Sequence, residues 1–548
     1  MIYSLSVPNP ASQLLNIQLE LNCEKGENLA LQLPSWRPGR YEIANYAQFL
    51  KNLNVTGPEG QVLCHKRTKD LWDFQAQEKG IYKVSYSYHA AQMDAGGSWT
   101  DAEQVYVNFI NLAFEIEGRE AESIEVKMDL PEEYLLACAL PQPQKHLLLA
   151  QNFQELVDSP LIASADLQHR SYTVKDSTFH LWISGKIYFD WDILLNQFEK
   201  FTEKQIADFG EFPAENYHFL IHLLPFPHYH GVEHQYSTVI TIGPDEAMGQ
   251  KSGMDRLIGV CSHELYHFWN VCRIRPKAIQ PYDFSKEAYL SEGMVAEGVT
   301  TFMGDYYLLK SGYFSISEYL ESLEKLFERG FENLGWENQS ITESSWDLWL
   351  DGYKAGVPDK KVSIYTHGAL LTLALDLILM KGGHRMHEVM KAMWTNFGTS
   401  HKGYTLKDFK AIVVSFAQHP EVISSFFDRF VFGKEDLLPT LVSLLPAIGL
   451  EMKQIPKENK MESEFGLKIN KKGQILKIHP KSLAYHHLMT GDRIISYQIK
   501  ENGLHVTFER WKKENVTFLP TSDETSFYMD YKLVLTGQSA AFSQFIDS

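Results

Sequence analysis

The residues of this sequence with the clearest potential for chemistry are His263-Glu264-Leu265-Tyr266-His267. His263 and His267 are four positions apart, so on a helix their imidazoles project from one face, one turn apart. In that arrangement both ring nitrogens can reach one Zn²⁺ at about 2.0–2.1 Å. Glu264 follows the first histidine and can take the proton of a water molecule held at the metal. The pattern therefore predicts a metal-dependent hydrolase.

A zinc hydrolase needs a third protein ligand and an open coordination position. The segment 291–302, which we expect to continue as a helix to Gly312, offers Glu292 and Glu297. Spacing alone does not choose between them. Glu297 lies deeper in the predicted helix and is favoured, whereas Glu292 near its start could interact with the helix dipole. Asp305, about two turns further on, could orient a ligand histidine or be a solvated carboxylate.

The elements that must position these residues change along the chain. Up to about residue 165, short alternating runs such as 84–88 predict an all-β sandwich. From about 255 to 452 the chain has helical periodicity, and Gly368–Met380 is predicted to be a buried helix that stops at a glycine pair. Short strand-like runs return after Phe465. An apolar stripe would bury the back of the metal helix: Ile258, Cys261, Leu265 and Trp269.

Composition excludes several classes of protein. The 548 residues are 44% hydrophobic and 22% charged, which is typical of globular domains, and a net charge of −18 is poorly suited to DNA or anionic membranes. Five scattered cysteines without a CxxC pair argue against a disulfide framework and a thiolate zinc site. No secretory signal and no apolar run of roughly 20 residues is visible. We expect a cytoplasmic protein, or a periplasmic or secreted one if a leader was removed.

These residues resemble the glycyl aminopeptidase family of gluzincin metallopeptidases. The segment 263–276 reads HELYHFWNVCRIRP and is similar to the family's HEFFHxWNVKRIRP, and 296–300 is similar to the start of its EGFTSYYGD block at a matching separation. The segment 33–41, LPSWRPGRY, is similar to LPxWxPGSY, and 426–433, FFDRFVFG, to FFDRYVxG. The likeness covers nearly the whole chain. It implies one Zn²⁺ per chain, bound by His263, His267 and Glu297, with Glu264 as general base.

Two further segments gain roles from the resemblance. His230-Gly231-Val232-Glu233-His234 is similar to the family's GGLEH strand, and related aminopeptidases use this glutamate to hold the substrate's free α-amine. Glu233 is therefore implied as the amine anchor. The position of His230 usually holds glycine in the family, so its side chain could narrow or reshape the cleft.

The segment 364–371 is similar to the family's YxKGAxL at the start of a helix. Its tyrosine donates a hydrogen bond to the oxyanion as it forms, and Tyr365 matches that residue. His367 replaces the family's usual lysine, which leaves the role of that lysine open. Without the resemblance, Tyr365 would be interpreted as a core aromatic residue, and Glu233 as a structural carboxylate.

The C-terminal segment resembles a PDZ domain. The run 465–469 is similar to the PDZ carboxylate-binding turn and second strand, and 480–494 to its SPAxxAGLxxGDxI element. Such a groove would take an extended peptide or a protein C-terminus as an added strand. A structural cap is the alternative interpretation of this segment.

Together these features predict a multidomain α+β protein. The predicted domains are an N-terminal β-sandwich-like domain at 1–165, a thermolysin-like catalytic subdomain with HExxH at 166–304, a helical subdomain at 305–455 and a PDZ-like domain at 460–548. The implied function is a zinc-dependent aminopeptidase that releases glycine or alanine from peptides with a free N-terminus. Two alternatives stay open: a catalytically weak zinc-containing scaffold or peptide-binding protein, and an endopeptidase with the same zinc site. We expect no nucleic-acid partner and no membrane span.

Overall fold

The N-terminal part of the chain is built from β-strands, as the alternating sequence runs predict. The structure is a computed structural model that describes residues 1–354, 356–521, 526–537 and 540–547. Its first elements are β1 (Ile2–Ser6), β2 (Leu14–Cys23), β3 (Asn28–Gln32), β4 (Leu50–Gly57), β5 (Gly60–Val62), β6 (His65–Lys66), β7 (Leu71–Gln75), β8 (Gly80–His89), β9 (Trp99–Thr100), β10 (Gln104–Val107), β11 (Glu115–Ile116), β12 (Ile124–Asp129), β13 (Leu135–Cys138), β14 (Leu147–Ala150), the short helix α1 (Phe153–Val157) and β15 (Leu161–Ser164).

Three sheets form from these strands. In the described residues the largest has the order β14-β12-β1-β2-β8-β4-β5, and the two smaller sheets have the orders β13-β15-β10-β9 and β11-β3-β7-β6. Alternate residues of the long strand β2 are buried, because side chains of successive residues in a strand point to opposite faces. The sheets pack through a continuous apolar core that also includes the helices of the following region.

A five-stranded sheet begins the next region of the chain, with the order β16-β17-β18-β20-β19. Strands β17, β18 and β20 are parallel, and β19 pairs antiparallel with β20 at the edge of the sheet. The elements are β16 (Gln168–Val174), β17 (Ser177–Ser184), α2 (Trp191–Phe209), β18 (Asn216–Leu223), β19 (His228–Glu233), β20 (Ser237–Gly243) and the metal helix α3 (Lys251–Tyr266).

Helices dominate the next region, in agreement with its periodicity. A π-helix (Met294–Val299) runs directly into α4 (Thr300–Lys310), and the predicted apolar helix is α8. The helices are α5 (Ile316–Phe331), α6 (Ile341–Trp346), α7 (Leu348–Asp351), α8 (Thr366–Met380), α9 (Met386–Met393), α10 (Leu406–Phe416), α11 (Pro420–Phe426) and α12 (Leu438–Leu444). Further π-helical turns lie at Trp394–Gly398 and Phe427–Val431.

The C-terminal region has its own small apolar core, which includes Met461, Phe465 and Leu504. Trp511 and Lys512, both with positive φ, form the tight turn between two of its strands. Within the described residues no strand pairs with the second edge of β22. The elements are β21 (Leu450–Pro456), α13 (Lys460–Ser463), β22 (Leu467–Ile469), β23 (Ile475–Ile478), β24 (Arg493–Lys500), β25 (Gly503–Arg510), β26 (Lys513–Pro520), β27 (Met529–Leu535) and α14 (Ala540–Asp547).

The predicted multidomain α+β architecture is confirmed by these sheets and helices. The domain boundaries and the PDZ-like assignment stay predictions. Among the described residues, no helix has the length and apolar character needed to cross a bilayer.

Two glycines bring the π-helix that contains Glu297 against α8. A Cβ added to Gly298 would lie 2.5 Å from the Cα of Gly368, and one added to Gly368 would lie 2.8 Å from the Cα of Gly298. Real Cβ atoms do not approach backbone atoms so closely, so any side chain here would separate the two helices. This crossing holds Glu297 and Tyr365, one from each segment, at neighbouring positions.

We expect Gly368→Ala to lower the free energy of unfolding by about 1–3 kcal/mol, because the added methyl group overpacks a helix crossing. The matched control is Gly259→Ala in α3, where nothing lies within 4 Å of an added Cβ. That change should stabilise the helix by up to about 1 kcal/mol. Denaturant unfolding of both variants measures the difference, and equal effects would contradict the assignment of a tight crossing.

Candidate active site

The metal helix is held from behind by aromatic packing. Phe209 at the end of α2 stacks on Trp269 with ring centroids 4.4 Å apart, and Phe212 stacks on Phe268 at 3.7 Å. The predicted apolar stripe of α3 is buried. His267 is the first residue after the helix, but it keeps helical dihedrals and its N–H bonds to the carbonyl of His263. The one-turn spacing of the two histidines is therefore preserved.

His263, His267 and Glu297 meet at one point. The Nε2 atoms of the histidines are 3.0 Å apart, and Glu297 Oε2 lies 3.4 Å from His267 Nε2 and 3.9 Å from His263 Nε2. Two tetrahedral ligands at about 2.0–2.1 Å from one ion are about 3.4 Å from each other. The three observed distances bracket that value, so the donor set has the size of a zinc site.

The orientation of His267 is set by Asn270. His267 Nδ1 donates to the Asn270 carbonyl at 2.6 Å, so Nε2 is the ring nitrogen that can bind a metal once its proton is lost. The Asn270 side chain donates to the Val295 carbonyl at 2.7 Å and to Thr300 Oγ1 at 3.0 Å. One asparagine therefore connects His267 to residues on both sides of Glu297.

The two candidate carboxylates separate clearly in the structure. Glu297 lies in the π-helix, whose wide turn is a frequent feature of functional sites. Glu292 lies before that turn and accepts hydrogen bonds from the backbone N–H groups of Ser291 and Leu406. Its two oxygens are used to cap backbone, so it is structural and Glu297 alone of the pair faces the histidines.

Glu264 and Glu233 lie beside the ligand set. Ligand atoms of Glu233, Glu264 and His267 lie within 4.8 Å of one another. A Cβ on Gly231 would overlap Glu264 Oε1, and one on Gly39 would overlap Glu233 Oε2. Glycine at these two positions is what allows both carboxylates to enter the cleft.

Each of these three carboxylates has a buried oxygen with no hydrogen-bond partner in the described residues: Glu233 Oε1, Glu264 Oε2 and Glu297 Oε2. Unpaired buried charges are costly and are normally compensated by a cation. The residues therefore fit a divalent metal ion, and the two overlapping groups share His267. Only the His263-His267-Glu297 group leaves Glu264 free to move a proton.

The clustered charges shift the protonation of the site in the metal-free protein. Burial raises the pKa of Glu264 to about 8, with further contributions from Glu233 and Glu297 against the opposing effect of His267. Burial also raises the pKa of Glu233. For His267 burial opposes the charged form, but Glu297, Glu233 and Glu264 together raise its pKa to about 10. The site thus retains protons in the absence of a positive ion.

Tyr365 lies immediately before α8 and close to Glu297. Its pKa is raised by burial and then by Glu297 and Tyr353. Tyr353 is a second half-buried tyrosine, and its hydroxyl accepts from the backbone N–H of Tyr41 at 3.4 Å. Tyr365, which the family resemblance indicates, thus lies at the ligand cluster. Tyr353, which the sequence did not indicate, lies next to it.

His230 lies on the face of β19 opposite to Gly231 and Glu233, because side chains alternate along a strand. Its Nε2 is 3.4 Å from Arg37 Nη2, and its Nδ1 is 3.9 Å from Asp94. Burial and Arg37 lower the pKa of His230 to about 3. The imidazole therefore contacts Arg37 and Asp94 of the N-terminal region.

Two other residues differ from simple expectation. His367 is buried in the first turn of α8, and burial lowers its pKa to about 4, so a neutral imidazole replaces the family's lysine. Asp305 forms no hydrogen bond or ion pair with His263 in the described residues. It is half-buried, and desolvation raises its pKa to about 6. Its carboxylate makes no direct contact with the paired histidines in the described residues.

Sequence reasoning missed several residues that shape the site: Gly39, Gly231, Asn270, Tyr353 and Arg37. Asn270 and the two glycines stand inside the motifs that carry the family resemblance, so a signal for them was present. Tyr353 lies in a segment without any motif. Its place beside Tyr365 follows from tertiary contacts alone.

The chain is similar to several peptidases. Two family models match: the Peptidase M61 N-terminal domain over residues 2–165 and the M61 glycyl aminopeptidase over 256–371. A crystal structure from Idiomarina loihiensis, an aminopeptidase N family protein, is similar with a TM-score of 0.91 and 25% identity over 100% of both chains. An M1 zinc metallopeptidase from Deinococcus radiodurans has a TM-score of 0.50 and 14% identity over 79% of this chain and 94% of that one, which supports the fold alone. No curated protein matches the chain.

The helix with paired histidines, its adjacent glutamate and the converging carboxylate define a zinc metallopeptidase. The two family models together span about half of the sequence. The chain belongs to the M61 glycyl aminopeptidase family, and the resemblance seen in its motifs is confirmed.

The raised pKa values predict how metal and pH act together on stability. Glu264 stabilises the metal-free fold fully below pH 4.5, and that contribution is lost as pH rises through about 8. His267 likewise stabilises the metal-free fold fully below pH 6.5, and this contribution is lost as pH rises through about 10. Metal-free protein should therefore lose stability across this range.

Zn²⁺ must displace the His267 proton, so its apparent affinity should increase about tenfold per pH unit between roughly pH 6 and 8. Thermal unfolding of chelator-treated protein with and without Zn²⁺ measures this. The gain in Tm should grow with pH and vanish in Glu297→Ala. A gain that shrinks with rising pH would contradict the assignment.

Proposed function

We propose that this chain is a zinc-dependent aminopeptidase that releases small N-terminal residues, glycine or alanine, from peptides. The observation that carries the proposal is the convergence of His263, His267, Glu297, Glu264 and Glu233 at one buried point. The first three would hold one Zn²⁺, which when bound lowers the pKa of a water molecule toward about 7 and polarises the scissile carbonyl.

Glu264 would act as the general base. Its carboxylate lies against the backbone of β19 at Gly231, on the side of the cleft that holds the ligand histidines. From there it can accept a proton from the attacking water and deliver it to the leaving amine. Tyr365 would donate a hydrogen bond to the oxyanion.

Glu233 would anchor the free amine of the substrate. It lies at the end of the edge strand β19, it is buried, and its Oε1 has no partner among the described residues. A substrate ammonium would donate a hydrogen bond to the unpaired oxygen of this carboxylate. The first peptide bond of the substrate would then lie over the ligand cluster. A longer N-terminal extension would meet the wall formed by Gly39 and Arg37.

The space beside Glu233 supports a preference for small residues. The cavity that Glu233 lines has a volume of about 10 Å³, which is room for about one water molecule. Its apolar walls include Ile110 and Val157 from the N-terminal region and Phe284 from the region that follows it. A glycine or alanine side chain fits such a space, whereas leucine would require the walls to move.

We further propose that residues 460–548 form a PDZ-like domain that binds an extended peptide or a protein C-terminus. The second edge of β22, unpaired among the described residues, supports addition of a strand there. The separate apolar core of residues 461–519 supports a boundary near 460. The boundaries at 165, 304 and 455, the thermolysin-like subdomain and a cytoplasmic location stay predictions from the sequence.

Glu264→Gln tests the catalytic proposal directly. The amide keeps the shape of the side chain but cannot accept a proton, so we expect kcat on glycine and alanine p-nitroanilides to fall about 10²–10⁴-fold. Metal content, measured by mass spectrometry, should be unchanged. Retained turnover would refute the general-base role, and absence of hydrolysis in the wild type would favour a scaffold.

Glu233→Gln tests the amine anchor. Loss of a charge-assisted hydrogen bond of about 1.5–3 kcal/mol should lower kcat/KM for free-amine substrates about 10- to 100-fold. The wild type should not cleave N-acetylated peptides. Cleavage of blocked peptides by the wild type, unaffected by Glu233→Gln, would identify an endopeptidase instead.

A further inference from the structure

The turn that follows Glu233 is held by side chains from two other parts of the chain. We call residues 234–236, which connect β19 to β20, the anchor turn. Glu233 is the last residue of β19, an edge strand that pairs with β20 alone among the described strands. The sheet therefore supports Glu233 on one side only, and contacts outside the sheet fix the end of the strand.

Asp158 binds the anchor turn from the N-terminal region. It lies directly after α1, and its two carboxylate oxygens have different partners. Oδ1 accepts from His234 Nδ1 at 2.9 Å, and Oδ2 accepts from the backbone N–H of Gln235 at 3.0 Å. The side chains of Asp158 and His234 are 25% and 7% exposed, so these hydrogen bonds lie largely out of water, where they are stronger. One carboxylate thus holds the two residues that follow Glu233.

Arg273 connects the anchor turn to the end of the metal helix. Its Nη1 donates to the Gln235 carbonyl at 3.2 Å and to the Phe268 carbonyl at 2.7 Å. The guanidinium is buried, and its carbon lies 3.5 Å from the centre of the Phe268 ring. Because Phe268 directly follows His267, one guanidinium links the anchor turn to the segment that carries a predicted zinc ligand.

The same contacts reach the cavity beside Glu233. Asp158 and His234 line this cavity together with Glu233 itself. The N-terminal region also approaches Glu233 at Gly39, where an added Cβ would lie 2.4 Å from Glu233 Oε2. Three segments outside the sheet therefore determine where the Glu233 carboxylate lies relative to the ligand cluster, and Asp158 supplies the contact to the anchor turn on the N-terminal side.

We infer that Asp158 is a positioning residue for Glu233, acting through His234 and Gln235. The N-terminal region thereby forms part of the site that binds the substrate amine. The inference rests on the amine-anchor role proposed for Glu233. Among the described residues, Asp158 forms no hydrogen bond or ion pair with the predicted metal ligands or with Glu264. Loss of its carboxylate should therefore weaken substrate binding and leave the metal content unchanged.

Asp158→Ala removes both contacts to the anchor turn. We expect KM for glycine p-nitroanilide to rise about 3- to 30-fold, the range of coupling through a contact network, with kcat within about threefold. Asp158→Asn should restore most of the affinity, because its amide can accept from the Gln235 N–H and donate to His234 Nδ1. The second bond needs the other tautomer of His234, which breaks no contact because Nε2 has no partner among the described residues.

The matched control is Asp101→Ala in the same N-terminal region. Asp101 accepts from the backbone N–H groups of Glu103 and Gln104 and from Trp99 Nε1, so the variant removes similar hydrogen bonds from a turn between β9 and β10. None of these partners belongs to β19 or to the anchor turn, and KM should stay within about twofold. Equal rises of KM in both variants would overturn the inference. A fall of kcat alone in Asp158→Ala, which indicates fewer folded molecules, would also overturn it.

The decisive comparison uses the Glu233→Gln background. If Asp158 acts through the Glu233 carboxylate, Asp158→Ala should cause no further rise of KM once that carboxylate is absent. An equal rise in both backgrounds would overturn the inference while the proposed function stands. If Glu233→Gln itself left kcat/KM for free-amine substrates unchanged, the amine-anchor role would fail and the inference with it.

Discussion

The active site depends on negative charge held out of water with too few protein partners. Glu233, Glu264 and Glu297 are buried, and each has one oxygen without a hydrogen-bond partner in the described residues. Burial of these carboxylates costs free energy, and in the metal-free protein the protons held by Glu264 and His267 offset part of that cost. A divalent ion between the imidazoles, or a substrate ammonium beside Glu233, would remove this cost. The free energy recovered in this way would add to the affinity for that ion or substrate. Metal and substrate binding thus share one electrostatic origin.

Close backbone approaches make this cluster possible. Gly39 from the N-terminal region and Gly231 on β19 leave space for carboxylates, and the contact of Gly298 with Gly368 joins the π-helix to α8. Each approach brings together segments that are distant in the sequence. The cleft is therefore a junction between the N-terminal region, the sheet that contains β19 and the helices.

Much of this could be predicted from the sequence because the relevant geometry is local. The spacing of His263 and His267 places them on one helical face whatever surrounds the helix. The apolar run of α8 and the alternating strands of the first 165 residues have the periods of the elements that they form. The motifs around Glu264, Glu233 and Tyr365 identified the family, which comparison with family models confirmed.

Tertiary structure decided what periodicity leaves open. Spacing did not distinguish Glu292 from Glu297, and the fold did so because one caps Leu406 while the other faces the histidines. Sequence likewise did not show that His230 turns toward Arg37, or that Tyr353 meets Tyr365. The period of an element determines which residues share a face. Which face meets which partner depends on contacts between distant segments, and these exist only once the chain has folded.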